Sequence, residues 1–158
     1  LNVTTIASNV FDLSMETPTR KNPSRSFTND ELYKAVDDWS FNPSEAELEY
    51  GHISKWDTSN VTTMKSLFSV YRLYRREFND DLSDWNVSSV TEMDYMFRGQ
   101  SLFDHDIGNW TVSSVTSMES MFNEATSFNQ DLPWDVSKVT NMYATFYDAR
   151  LFNQSSVG

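Results

Sequence analysis

At 158 residues, with 39% apolar and 15% aromatic content, the chain has material for the core of one domain. Its formal charge of −11, from 12 basic and 23 acidic residues, repels phosphate backbones and anionic lipid surfaces, which excludes nucleic acid as an expected partner. Cys is absent, so disulfides, thiolate metal sites and thiol nucleophiles are excluded, and no apolar run approaches the roughly 18 residues of a membrane span.

The chain starts at Leu1 without Met and without a charged-then-apolar leader pattern, which points to a processed product whose targeting segment lies outside the sequence. Residues 1–28 read as an extended N-terminal arm: METPTRKNPSRS contains Pro and Ser and clusters Arg20, Lys21 and Arg25. Residues 29–51 read as a helical cap. Asn29 is the expected N-cap of DELYKAVDDW, whose Leu32, Ala35, Val36 and Trp39 make an apolar stripe; Pro43 and Ser44 restart a second helix, EAELEY, which Gly51 stops.

From residue 52 to 158 the sequence repeats. Trp56, Trp85, Trp110 and Trp134 are spaced by 29, 25 and 24 residues, and the same register carries Val61, Val90, Val115 and Val139, then Met64, Met93, Met118 and Met142, then Phe68, Phe97, Phe122 and Phe146. A second column, Phe78, Phe103, Phe128 and Phe152, shows that four extra residues lie within VYRLYRRE of the first unit. A unit of 24–25 residues recurring four times predicts a solenoid whose coils bury their apolar faces on one another. Within each unit, Met93, Met96 and Phe97, or Met118, Met121 and Phe122, stand at i, i+3, i+4 and predict a short helix, with Thr91/Asp94 and Thr116/Glu119 as capping boxes. Leu82, Ile107 or Leu132, followed by Trp and Val, predicts a short strand with an irregularity before Trp. The Met and Phe columns are core in this reading, and an α/β solenoid is the expected fold. After Phe152 the last unit lacks its Leu and Trp, so the array is expected to continue or to be covered by another protein.

The pattern in WTVSSVTSMESMFNEATSFNQDL, residues 110–132, resembles the BspA-like, mycoplasma-lipoprotein-type surface repeats, and LYKAVDDWSFNPSEAELEYGHISKWDTSNVTTM, residues 32–64, resembles the segment that precedes such arrays in algal members. The resemblance covers about residues 30–158 and departs from the pattern at the insertion after Phe68 and at Thr145, where a second Met or Leu is expected. It implies a leucine-rich-repeat-like, right-handed coil stack and a surface or adhesion role without a defined activity.

Candidate chemistry is sparse. Asp81, Asp106 and Asp131 share one column, as do Asn79, Asp104, Asn129 and Asn153; such a ladder has the oxygen donors for Ca²⁺, but Asn and Asp in loops ordinarily satisfy backbone N–H groups, and no metal or other cofactor is assigned. Glycoside hydrolysis needs two carboxylates in unlike environments, whereas a repeated column gives like ones. Asp80, Asp84, Asp148 and Glu77 are unrepeated, yet His52 and His105 lie in different coils, so no enzyme is expected. Asn2, Asn60, Asn86, Asn109 and Asn153 begin N-x-[ST] triplets, three of which the repeat grammar itself writes.

The break in the repeat is the leading contact site. Tyr71, Arg72, Tyr74, Arg75 and Arg76 supply the residue types enriched at interface hot spots, and the polar strand positions Asp57, Asn86, Thr111 and Asp135 form a flatter second surface. The expected function is a non-catalytic protein-interaction or architectural module with a protein partner, at the cell surface or outside the cell. The alternatives are an acidic subunit of a larger complex in an organelle lumen, and a carbohydrate-binding or carbohydrate-active protein, in which exposed Trp85 and Trp110 would stack on sugar rings.

Overall fold

The structure is a computed structural model describing residues 26–74 and 76–154. The expected arm therefore lies outside the described residues except for Ser26, Phe27 and Thr28, and so does Arg75.

Two helices open the described chain. Helix α1 spans Asn29–Phe41 and α2 spans Pro43–Tyr50. The N-cap of α1 is Thr28, whose hydroxyl accepts from the Glu31 amide while the Glu31 carboxylate accepts from the Thr28 amide, a reciprocal pair that satisfies two otherwise orphaned donors. Asn29, expected as the cap, is thereby released for another task, described below. Leu32, Ala35, Val36 and Trp39 form the buried face of α1. Pro43 stands at the start of α2, and Gly51 at its end has φ +76°, a conformation that costs glycine little.

Beyond Tyr50 the expected elements do not form. A single 3₁₀ turn, Ile53–Lys55, is followed by turns throughout; among the described residues there is no strand, only isolated parallel bridges Thr63–Glu92, Glu92–Ser117 and Ser117–Asn141. The α/β solenoid of strand-plus-helix repeats is therefore corrected, and with it the leucine-rich-repeat likeness. The reason lies in the backbone. Each expected helix contains a left-handed residue: Ser66, Tyr95, Ser120 and Ala144 in one column have φ between +52° and +59°, and Gly99, Glu124 and Asp148 in a later column have φ of +77°, +62° and +56°. A left-handed residue ends an α-helix, and each one here occupies the third position of a four-residue turn, as in the Met96-to-Met93 and Gln100-to-Phe97 amide–carbonyl bonds. The Thr capping boxes are corrected with the helices: the buried Asp94 carboxylate accepts instead from the Ser117 hydroxyl and, at 2.9 Å, from the Glu119 amide of the following unit.

These turns place alternate amides outward along the repeat direction. The amides of Met93, Tyr95, Phe97 and Gly99 donate to the carbonyls of Ser117, Glu119, Met121 and Asn123, and the amides of Met118, Ser120, Phe122 and Glu124 to those of Asn141, Tyr143, Thr145 and Tyr147. Met64, Ser66, Phe68 and Val70 bond the second unit in the same way. A helix would need these donors for itself. One column runs in the opposite sense: the Thr91, Thr116 and Thr140 amides each donate at 2.9 Å to the preceding Thr62, Thr91 and Thr116 carbonyls.

The expected strand is also made of turns. The amides of Trp85 and Trp110 return to the Leu82 and Ile107 carbonyls, and those of Val90, Val115 and Val139 to the Val87, Val112 and Val136 carbonyls, leaving no extended run between them.

The core is built from the repeated side chains. Phe68, Phe97, Phe122 and Phe146 stack at 5.4–5.6 Å between centroids, with Phe78, Phe103, Phe128 and Phe152 stacked beside them at 4.0–4.2 Å within each unit. The tryptophans line up too: Trp56 on Trp85 and Trp110 on Trp134, each pair at 6.3 Å. The indole N–H groups of Trp85, Trp110 and Trp134 donate to the carbonyls of Ile53, Leu82 and Ile107 in the preceding unit. Burying a Trp therefore leaves no orphaned donor.

Candidate interaction surface

Two parts of the chain meet at the front of the stack: the helices of the cap and the four-residue insertion of the first repeat. Leu73 anchors the insertion in the core. Arg72, expected to face a partner, is turned inward. Its guanidinium donates to the Leu67 carbonyl at 2.8 Å and the Tyr33 carbonyl at 3.1 Å, pairs with Asp37 at 2.9 Å and lies 4.8 Å from the Tyr33 ring. Arg76 donates to the Ser40 carbonyl at 3.1 Å and covers the Phe41 ring at 5.1 Å. Both cations thus tie the insertion to α1.

Their placement solves a problem of the first unit. Its carbonyls would accept from a preceding unit, and the cap supplies substitutes: the Tyr33 hydroxyl donates to the Lys65 carbonyl at 2.6 Å, Arg72 to that of Leu67, and the Asn29 side chain accepts the Thr62 amide at 2.9 Å in place of an earlier Thr carbonyl. Burial pushes the Tyr33 hydroxyl above its ordinary pKa, so it stays protonated and able to donate.

The two tyrosines of the insertion point the other way. Tyr74 is 92% exposed and has φ +53°, so the left-handed turn holds its ring clear of the surface. Tyr71 is 54% exposed; its hydroxyl donates to Glu124 at 2.9 Å and Arg98 stacks over its ring at 4.8 Å. Tyr74 and Phe41, itself 76% exposed, line a groove of about 720 Å³ with Leu73 as part of its lining and Asp37, Asp38, Glu45 and Glu49 supplying acidic groups. Within it the Lys34 ammonium bonds Asp38, as does the Tyr50 hydroxyl at 2.7 Å. Burial raises the Asp38 pKa, but those two hydrogen bonds outweigh it and hold the carboxyl below its ordinary value. Phe41 and the α1 carboxylates had no signal in the sequence, because the groove exists only where the cap meets an insertion some thirty residues later.

Asp57, Asn86, Thr111 and Asp135 do share one exposed row, but it is a row of turns and not of strands. The side-chain oxygens of Asp57, Asn86 and Asp135 accept the amides of Ser59, Ser88 and Ser137 two residues on, at 3.0–3.1 Å. Such short side chains compete for the backbone and fold it into a turn. Asp81 and Asp106 do the same for Ser83 and Gly108. The other ladder bonds across units: the Asn129 amide donates to Asp104 and the Asn153 amide to Asn129, at 2.8 and 2.9 Å. Trp56, Trp85, Trp110 and Trp134 are only 2–3% exposed, which removes this column as a stacking platform for sugar rings.

No helix among the described residues is long and apolar enough to cross a membrane. Residues 32–157 match a family described as a mycoplasma protein of unknown function, DUF285, in agreement with the mycoplasma-type half of the resemblance read from the repeats. No curated protein and no solved structure matches the chain.

Proposed function

The chain belongs to the DUF285 family, and from that premise we propose that it is a non-catalytic protein-binding module, with the cap groove as its contact site and the stacked repeats as a rigid support. One observation carries this reading: Tyr74, almost fully exposed, and Phe41, exposed except where Arg76 lies over its ring, line the same groove. Large aromatic rings held in water at fixed positions gain most by being covered, and they are the residue types that dominate interface energies. Arg72 and Arg76 belong to the support, since they fix the insertion on α1. The finer kinship with BspA-like surface repeats is part of the same proposal, supported by the pattern of residues 110–132, and so is a location at the cell surface or outside the cell.

The test is co-purification with crosslinking from the native source. A protein crosslinked at the groove, and lost on the double substitution Phe41→Ser/Tyr74→Ser with thermal stability retained, is the expected result. Undiminished capture by the double variant would refute the assignment.

A further inference from the structure

The N-x-[ST] triplets are alike in sequence, but the structure separates them. An asparagine accepts a sugar through its Nδ2, so the amide must be exposed, unengaged and within reach of the hydroxyl two residues on. Asn60 is exposed, but its Nδ2 donates to the Ser26 hydroxyl at 2.6 Å, and the Thr62 hydroxyl of the same triplet accepts from Asn29 at 3.0 Å. Asn109 is exposed, yet no bond joins it to the Thr111 hydroxyl among the described residues. Asn2 lies outside those residues, as does Ser155, which completes the triplet of Asn153.

Asn86 meets every condition. It is exposed, its Oδ1 accepts the Ser88 amide at 3.1 Å and the Ser88 hydroxyl at 2.7 Å, and its Nδ2 has no partner among the described residues. The backbone beneath it is fixed: Trp85 and Val87 on either side are buried, and the Asn86 carbonyl accepts the Thr58 hydroxyl at 2.9 Å. The turn itself does not call for an amide. Asp57 and Asp135 close the same turn in other units with a carboxylate oxygen, so an acceptor is all the fold needs and the Nδ2 of Asn86 is surplus to it.

We propose that Asn86 is the acceptor of an N-linked glycan, transferred from a glycosyl diphosphate by an enzyme acting on the chain. The Ser88 hydroxyl, donating to Oδ1, draws electron density from the amide and makes its N–H more acidic. As the Nδ2–C1 bond to the sugar forms, the C1–O bond to the diphosphate breaks, the diphosphate leaves with the electron pair, and Nδ2 gives one proton to the transferase. The inference rests on the reading of a location at the cell surface or outside the cell. A bulky, solvated glycan at Asn86 would shield the row of Asp57, Thr111 and Asp135 from protein contact. Asn86 is not among the residues lining the cap groove, so that face would stay open.

The test is glycopeptide mapping by mass spectrometry on the chain isolated from the exterior of its native cells. Trypsin releases residues 77–98, in which Asn86 begins the one N-x-[ST] triplet. A sugar on that peptide, with Asn60 and Asn109 bare, is the expected result. Asn86→Asp, which keeps the turn oxygen, should abolish the modification at unchanged thermal stability. Ser88→Ala should lower occupancy by at least about tenfold with the asparagine in place, and Ser88→Thr should retain it. A bare 77–98 peptide in exterior protein would overturn this inference and leave the location reading standing. So would sugar on Asn60 or Asn109 instead, or occupancy unchanged by Ser88→Ala. A chain found only inside the cell and unmodified would overturn both.

Discussion

Replacing Gly99 by alanine tests how the insertion rests on the stack. Gly99 has φ +77°, and a Cβ built on it would stand 2.2 Å from Val70 Cγ1 and 3.3 Å from Val70 Cβ. The left-handed backbone alone costs an L-residue about 1–2 kcal/mol, and forcing a methyl into filled space adds about 1–3 kcal/mol, so Gly99→Ala should lose roughly 2–5 kcal/mol. Glu124 and Asp148 adopt the same left-handed conformation with side chains in place, so it is the Val70 side chain lying against Gly99, and not the turn by itself, that requires glycine there. Val70→Ala removes the obstructing methyl. In that background Gly99→Ala should cost only the backbone share of about 1–2 kcal/mol, leaving a coupling energy of about 1–3 kcal/mol. Ala144→Gly, at a left-handed residue of the last unit, should by contrast stabilise by up to about 1 kcal/mol. Urea unfolding of the four proteins, followed by tryptophan emission at constant m, measures the cycle. Additive costs, with coupling below about 0.3 kcal/mol, would show that Val70 does not lie over Gly99.

Phe97→Ala, which strips a fully buried ring stacked on Phe68, Phe103 and Phe122, should cost about 3–5 kcal/mol, whereas Phe152→Ala at the half-buried end should cost about 1–2 kcal/mol; equal losses in chemical denaturation would contradict a stacked column. Arg72→Lys keeps the charge but loses the forked bonds to Leu67 and Tyr33, and should destabilise by about 2–3 kcal/mol, while Tyr74→Ala should change stability by less than about 0.5 kcal/mol. For Asp135, the hydroxyl and then the amide of Ser137 hold the carboxyl below its ordinary pKa; for Asp81 the amide of Ser83 does so first. A depressed folded pKa means stability that is present above the unfolded value of about 4 and lost as pH falls through the folded one. Asp135→Asn should therefore flatten acid destabilisation between about pH 5 and 2 with little change at neutral pH, since Asn86 fills the same turn in another unit; an unaltered acid limb would show that the turn does not depend on the carboxylate.

The repeat was legible in the sequence because each column keeps its side chain: Trp, Val, Met and Phe recur where they stack. The local backbone was not. Apolar residues at i, i+3 and i+4, such as Met93, Met96 and Phe97, reach one side from a helix, and they do so equally from two overlapping turns with Tyr95 left-handed between them. Nothing in a serine, tyrosine or alanine announces a positive φ; Gly99, aligned with Glu124 and Asp148, was the one residue type that did. The cap stripe was read correctly from its period, but the role of Asn29 was not, because Thr28 with Glu31 makes the better cap and frees Asn29 for the Thr62 amide. Arg72 looked like a contact residue by type, and only the carbonyls left open by the first unit explain why it turns inward.

Through-hydrogen-bond scalar couplings, recorded by NMR on isotope-labelled chain, measure the zipper between units directly. Couplings from the amide nitrogens of Met93, Tyr95, Phe97 and Gly99 to the carbonyl carbons of Ser117, Glu119, Met121 and Asn123 are expected. Couplings running four residues back within a unit, from Phe97 to Met93 and from Phe122 to Met118, would mean that the repeat is helical after all and would contradict the turn-built stack.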